Sequence, residues 1–268
     1  VAKQKETVSR TVMVALALCI VCSVVVSAAA VMLRPAQVTN QNLDIKSNIL
    51  SAAGMLKPGM SADEIETEFG RFEVRLVDLD SGEYVEPQVV GVKDPMKYDQ
   101  YKAASNPQLS KNIPASEDKA GIKRRPNVVK IFVLRDGEKL QRVVLPVHGY
   151  GLWSTLYGFM SLEGDANTIE GIGFYAHAET PGLGGEVDNP RWKSLWTGKE
   201  LYDEDNKTEP KIVLVKGGVD ANTRDKEHKV DALSGATLTS RGVQQLVNYW
   251  MGDRGFAPYL EKLRQGEV

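Results

Sequence analysis

Val128 to Val147 reads VVKIFVLRDGEKLQRVVLPV. Its two halves, Val128 to Leu134 and Leu140 to Val147, are dense in Val, Ile and Leu, which suit a pleated, half-buried surface. Arg135-Asp136-Gly137-Glu138 separates them, and Asp-Gly between two apolar runs is a strong hairpin signal. Two antiparallel strands are expected here. Downstream, Ser154 to Leu162, Thr168 to Tyr175 and Lys211 to Val215 carry the same composition and extend the strand run.

Helical patterns flank these strands. Upstream, Val38 to about Ser81 reads as helices: Leu43, Ile49, Leu50, Ala53 and Leu56 recur at helical spacing, and Lys57-Pro58-Gly59 is the expected stop. Met60 to Phe72 restarts the pattern, with Ser61 as N-cap and Glu64 completing a capping box. Between Ser81 and Arg125 the chain is polar and holds Pro87, Pro95, Pro107 and Pro114, which predicts an irregular surface insertion. After Thr239 or Ser240, the spacing of Val243, Leu246, Val247 and Trp250 predicts a last helix. Strands grouped between helices indicate an α+β domain, not alternating βαβ units.

The chain has 268 residues, 42% of them hydrophobic and 25% charged, with 33 basic against 35 acidic side chains. That balance supplies no basic footprint, so nucleic-acid partners are excluded. Thr11 to Leu33 runs without a single charge. At about 1.5 Å per helical residue it reaches about 34 Å, enough for a hydrocarbon core of about 30 Å. A secretory signal peptide is the competing reading, with SAAA at Ser27 to Ala30 as a cleavage site. The run exceeds the usual apolar region of a signal peptide, which favours a retained transmembrane helix. Lys3, Lys5 and Arg10 precede it with one Glu6, and Arg34 is the only charge in the ten residues after it. The positive-inside rule then places the N-terminus in the cytoplasm and the chain from about Pro35 onward across the membrane, in a bacterium the periplasm.

Cys19 and Cys22, both inside this run, share a helix face. Two thiols do not complete a zinc or iron–sulfur ligand set, and small apolar packing residues are the simpler reading. His148, His177 and His228 show no metal-ligand spacing, so no metal site is expected. Gly171-Ile-Gly173-Phe-Tyr-Ala176 fits a dinucleotide pattern but lies within an expected strand, where that fingerprint does not work. Two glycine-rich loops remain, His148 to Trp153 and His177 to Gly185. Each reads either as a hairpin turn or as backbone that lets N–H groups approach an anion, with Trp or Leu to cover a planar ring. Directly before the last helix, Asp231-Ala-Leu-Ser234-Gly235-Ala236-Thr237-Leu-Thr239 sets small residues and hydroxyls where a helix N-terminus favours a phosphate. A threonine hydroxyl needs a neighbouring base to act as nucleophile, so a covalent bond at Thr237 requires a separate enzyme.

Asp231 to Thr239 resembles the flavinylation motif D-x-x-[ST]-G-A-[ST]-x-T at every fixed position, and His177 to Pro190, HAETPGLGGEVDNP, resembles the E-T-P-G-L-G signature of FMN-binding domains in bacterial membrane electron-transfer complexes. With Tyr98 to Pro107 and Gly149 to Gly158, the chain as a whole is similar to the C-subunit family of the Na+-translocating NADH:quinone reductase. The resemblance implies FMN held covalently by its phosphate on Thr237, with Ser234, Gly235 and Ala236 lining the attachment loop. Asp231 belongs to the motif, with recognition by the flavin transferase as its alternative role. Thr180, Leu183, Leu152 and Trp153 would contact the isoalloxazine or ribityl chain. The expected role is that of an electron carrier, with no catalytic residue of its own, between a membrane iron–sulfur centre and the flavin of the B-type subunit on the way from NADH to ubiquinone. Sodium is pumped by the complex as a whole.

The implied organisation is a cytoplasmic N-terminus (1–10), a transmembrane helix (11–33), a helical and irregular periplasmic segment (34–125) and an FMN-binding domain (126–268). Implied partners are subunits A, B, D, E and F, the flavin transferase and the bacterial inner membrane. Two other flavoproteins compete. The equivalent subunit of the ferredoxin:NAD reductase complex is disfavoured by the Ser81 to Arg125 insertion. A membrane-anchored FMN-binding sensor would normally add an output domain.

Overall fold

The computed structural model describes residues 7–268. Lys3, Lys5 and Glu6, on which the expected membrane orientation partly rests, lie outside the described residues. The chain divides into two compact units, one ending at Asp44 and one covering Ile45–Val268.

The first helix, α1, runs Val8–Ala52. Its apolar N-terminal part is long and apolar enough to cross a membrane, with Leu16, Ile20 and Val24 exposed on the surface of the chain. Pro35 lies inside the helix and removes one backbone donor, and Thr39 Oγ1 donates to the Pro35 carbonyl at 3.1 Å. α1 stops before the expected Lys57-Pro58-Gly59. Gly54 takes a left-handed conformation (φ +69°), its N–H bonds the Ser51 carbonyl at 3.1 Å, and Met55 N–H bonds the Leu50 carbonyl at 2.8 Å. This Schellman closure satisfies the last carbonyls at a glycine, so the later proline is not needed as a stop.

α2, Ala62–Phe69, has the expected capping box: Ser61 N–H donates to Glu64 Oε2 at 2.7 Å and Glu64 N–H to Ser61 Oγ at 3.3 Å. The expected helical character through Ser81 is not found. The helix closes at Gly70, and Glu73–Asp78 forms strand β1. β1 pairs antiparallel with β4, Val128–Asp136, so that Val74 stands opposite Phe132. A distant partner fixed this segment, and its own short sequence did not display it. The sheet therefore takes an edge strand from the 34–125 segment and does not begin at residue 126.

The stretch from Ser81 to Arg125 is largely irregular, yet it is fastened down. It includes α3 (Gln100–Ala104), β2 (Ser110–Asn112) and the start of β3 (Arg124–Pro126), and these two strands pair antiparallel. Tyr98 is buried and its hydroxyl donates to the Val128 carbonyl at 3.1 Å, and Lys130 N–H donates to Gln100 Oε1 at 3.0 Å. The expected irregular surface insertion is pinned to β4 through these contacts.

The expected hairpin joins β4 to β5, Lys139–Tyr150. Asp136 pairs with Lys139, so the two loop residues are Gly137 (φ +59°) and Glu138, with glycine at the first position where positive φ is required. β6 (Thr155–Glu163) and β7 (Ile169–Ala176) complete an antiparallel sheet of order β1-β4-β5-β6-β7. After α4 (Pro190–Lys193), β8 (Val213–Val215) and β9 (Lys229–Asp231) form a parallel pair, followed by α5 (Thr237–Trp250) and α6 (Ala257–Gln265).

Alternation sorts the strand side chains onto two faces. Ile131 and Val133 of β4 and Leu145 and Val147 of β5 share one core with Val243, Leu246, Val247 and Trp250 of α5. On the other face Phe132 meets Phe69 of α2 and Phe159 of β6 with ring centroids 5.7 and 5.9 Å apart. With both faces covered, the strands read as near-continuous apolar runs. At about 1.5–3 kcal/mol per fully buried large apolar side chain, these faces carry most of the stabilisation. The apparent dinucleotide pattern lies inside β7, where Gly171 has a packing role: a Cβ there would stand 2.7 Å from the Ala52 carbonyl oxygen at the end of α1.

Candidate functional site

α5 begins at Thr237, with Ala236 as a cap that offers no side-chain acceptor. No side chain caps α5; instead the Ser240 hydroxyl reaches back to the preceding loop, accepting from Leu233 N–H at 2.9 Å and donating to the Ala236 carbonyl at 3.0 Å. The Ser234-Gly235-Ala236 turn is thereby tied to the helix that follows it. Gly235 is left-handed (φ +72°), and a Cβ would stand 3.0 Å from Leu183 Cδ2. Thr237 is exposed at the first turn, where unsatisfied N–H groups favour an anion.

Thr237, Ser234 and Gly235 open on a cleft of about 630 Å³, also lined by Lys216, Arg241 and Gln244. That volume is in the range of small-molecule sites. Lys216 comes from the loop after β8 and Arg241 from the second turn of α5, so two cations from separate elements face one cleft. Asp231 borders the same cleft but turns its carboxylate to the backbone: Oδ1 accepts from Val219 N–H at 2.7 Å. Its carbonyl accepts from Trp192 Nε1 at 2.8 Å, so Asp231 shapes the Gly217–Gly218 wall.

Leu152, Trp153, Thr180 and Leu183 do not line this cleft. They sit on the two glycine-rich loops, and those loops meet at Glu179, the first residue of the E-T-P-G-L-G signature, to which the sequence assigned no role of its own. The Glu179 side chain is buried, 5% exposed. Its Oε1 accepts from the N–H groups of Leu152 (3.0 Å), Trp153 (2.9 Å) and Ser154 (3.3 Å), and its Oε2 accepts from Thr239 Oγ1 at 2.7 Å. Burial pushes the carboxyl pKa up, but the hydrogen bonds from Thr239 and from the three amides together outweigh it and hold the pKa below the usual range. His177 steadies the same loop: its Nδ1 accepts from Glu179 N–H at 3.2 Å, which puts the ring proton on Nε2, 2.8 Å from Asp188 Oδ2.

Around this knot Trp153, Leu183 and Leu238 are exposed apolar side chains, 63%, 44% and 51% accessible. The site thus has a cationic cleft on one side of Thr237 and an apolar rim on the loops beside it. Such a donor set fits a ligand with an anionic end and a flat apolar body. Lys216 and Arg241 were missed in the sequence because each is a common charged residue in a polar loop or an exposed helical turn, and Glu179 stood in the quoted signature without a role. The local signal for Glu179 was its place at the head of that signature, a carboxylate set among glycines.

An α+β domain whose cleft sets two cations and a helix N-terminus beside an apolar rim defines the class of domains that bind a ligand with a phosphate and a flat apolar body, and a helix long and apolar enough to cross a membrane precedes it in the chain. The FMN-binding domain family matches residues 151–252, which contain the second glycine-rich loop, the end of the first and the Ser234–Ala236 turn. The C subunit of the Na(+)-translocating NADH-quinone reductase of Pseudomonas aeruginosa is 49% identical over 98% of this chain and 99% of its own length. The corresponding Yersinia pestis protein is 45% identical over 99% and 97%. Among solved structures, Shewanella oneidensis NqrC superposes with a TM-score of 0.73 at 38% identity, covering 83% of this chain and 97% of that one. The Parabacteroides distasonis counterpart gives 0.62 at 27% identity over 86% and 96%. The chain belongs to the C-subunit family of Na+-translocating NADH-quinone reductases, as the resemblance along the whole chain implied.

Proposed function

We propose that this protein is the flavoprotein subunit of a Na+-translocating NADH-quinone reductase, holding FMN as a phosphoester of Thr237 and relaying electrons between other subunits of the complex. Bound FMN supplies one- and two-electron transfer. The observation that carries this reading is the exposed Thr237 hydroxyl at the first turn of α5, opening on the cleft that Lys216 and Arg241 line.

Each part of the site has a role on this reading. The N-terminus of α5 and the two cations offset the charge of the phosphoester. The small residues Ser234, Gly235 and Ala236 leave room beside the attachment point, and Leu152, Trp153, Thr180 and Leu183 bound the isoalloxazine or ribityl chain. Asp231 holds the neighbouring wall and presents the motif to the flavin transferase. Attachment is carried out by that separate transferase from an activated flavin donor of the dinucleotide class: the Thr237 Oγ1–phosphorus bond forms as the donor's pyrophosphate P–O bond breaks, and the nucleoside monophosphate leaves with the hydroxyl proton. The anchor at 11–33 keeps the N-terminus cytoplasmic and the domain periplasmic, alongside subunits A, B, D, E and F.

The test is intact mass and denaturing-gel fluorescence of the full chain expressed beside a flavin transferase, for the wild type and Thr237→Ala. The expected result is in-gel flavin fluorescence and a mass gain of one FMN less water, both absent in Thr237→Ala. An unmodified wild type beside an active transferase overturns the reading.

A further inference from the structure

We propose that Glu179 is the positioning residue of the flavin site: its carboxylate binds the Leu152–Ser154 turn and the first turn of α5 into one frame, and its fixed negative charge sets the redox potential of a flavin held there. The inference rests on the reading of Thr237 as the flavin carrier.

Three separate parts of the chain are fitted to this one carboxylate. The turn after β5 aims three consecutive N–H groups at Oε1. Thr239, two residues beyond Thr237, aims its hydroxyl at Oε2. Two glycines make the space: a Cβ on Gly151 would stand 2.6 Å from Oε1, and one on Gly184 would stand 2.7 Å from Oε2. The loop that carries Glu179 is itself held by Ser154, whose Oγ accepts from Ala178 N–H at 2.7 Å. Both glycine-rich loops and the helix bearing Thr237 therefore share this anchor.

The frame alone does not require a charge. A glutamine in the same rotamer would accept from the same three amides through Oε1 and donate to Thr239 Oγ1 through its amide nitrogen. It would also avoid much of the cost of burying a carboxylate, for which no cation lies within ion-pair distance among the described residues. What the carboxylate adds is a negative charge near the attachment point, immobilised by four hydrogen bonds. Because reduction adds electron density to a flavin, that charge disfavours the reduced form and lowers the potential.

Two readouts on the full chain test this. In the chain expressed without a transferase, hydrogen exchange of the Leu152, Trp153 and Ser154 amides is compared for wild type, Glu179→Gln and Glu179→Ala. Expected is wild-type-like protection in Glu179→Gln and loss of protection in Glu179→Ala. In the flavin-loaded chain, a redox titration of Glu179→Gln, read on the flavin-bearing fraction alone, is expected to show a midpoint shifted to more positive potential. Unchanged amide exchange in Glu179→Ala overturns the positioning role, and an unchanged midpoint in Glu179→Gln overturns the electrostatic one. Failure of the underlying reading shows up differently, as a wild type that carries no covalent flavin, and the exchange experiment stands without it.

Discussion

His148 makes the fold acid-sensitive by an amount the structure allows to be worked out. Its ring is buried on β5, packed edge-on to Tyr101 of α3 (5.2 Å), stacked with Tyr157 of β6 (5.7 Å) and tilted against Trp250 of α5 (4.9 Å). Its Nδ1 has no hydrogen-bond partner. Burial pushes the pKa down to about 4, against a weaker opposing pull from Asp118, whose carboxylate is engaged by the Ile122 and Lys123 amides. Tyr101 adds no charge, since burial raises its own pKa. Above about pH 7 the histidine is neutral in folded and unfolded chains and contributes no pH dependence. Below the unfolded pKa of about 6.5 the unfolded chain takes up a proton that the folded chain refuses, so stability falls as pH falls and levels off near pH 4. A separation of about 2.5 units corresponds to about 3 kcal/mol. Urea unfolding of the full chain in detergent, from pH 7.5 to pH 4, would be compared between wild type and His148→Phe. Phenylalanine keeps a flat ring in the aromatic cluster and abandons no hydrogen bond at Nδ1. Carboxylates held at low pKa, such as Glu179 and Asp165, weaken both proteins equally as pH falls. The wild type should therefore lose about 3 kcal/mol more than His148→Phe across this range. Parallel stability curves would show that the buried His148 ring imposes no such proton linkage on folding.

Two further outcomes follow from the packing of α5 and from its cleft. Gly242→Ala places a Cβ against the Tyr150 carbonyl oxygen and 2.9 Å from Gly151 Cα, both backbone, so the helix must move off the β5–β6 turn. Against a helix-propensity gain of about 1 kcal/mol, the overlap should leave a net loss of about 1–2 kcal/mol by urea unfolding; a stabilised variant would show that the helix can slide freely. Replacing Lys216 and Arg241 together by glutamine removes the two cations of the cleft. At about 0.5 kcal/mol for each exposed, solvent-screened charge, covalent FMN incorporation followed by in-gel fluorescence should slow by about fivefold, and unchanged incorporation would separate the cleft from the attachment.

What the sequence made legible was local. The last helix could be read because Val243, Leu246, Val247 and Trp250 all face one core, and a 3.6-residue period survives without knowledge of the partner. The β4–β5 hairpin could be read because its turn chemistry lies between its strands. β1 could not, since the helix-like run before it hid a strand whose partner, Val128–Asp136, follows a long irregular segment. The end of α1 was misplaced because Lys57-Pro58-Gly59 is a conspicuous stop, whereas Gly54 closes the helix through two backbone hydrogen bonds. At the site, the small-residue turn and both glycine loops were visible as composition. Their meeting point was not, because a glutamate in a loop looks solvated until three amides are found pointing at it.

The division of charge at the site follows from how each charge is held. Lys216 and Arg241 line an open cleft, so their side chains can reorient and water screens them; they suit the work of attracting and neutralising a phosphate, where a range of geometries serves. Glu179 is the opposite case. Four hydrogen bonds and two glycine-lined walls leave its carboxylate no alternative orientation, and burial reduces screening. A group that exchanges electrons repeatedly needs surroundings that do not rearrange with each change of charge, because rearrangement costs energy on every transfer. An immobile buried carboxylate meets that requirement where a mobile surface charge would not, and this is the reason the potential, rather than flavin attachment, is the quantity expected to move when Glu179 becomes glutamine.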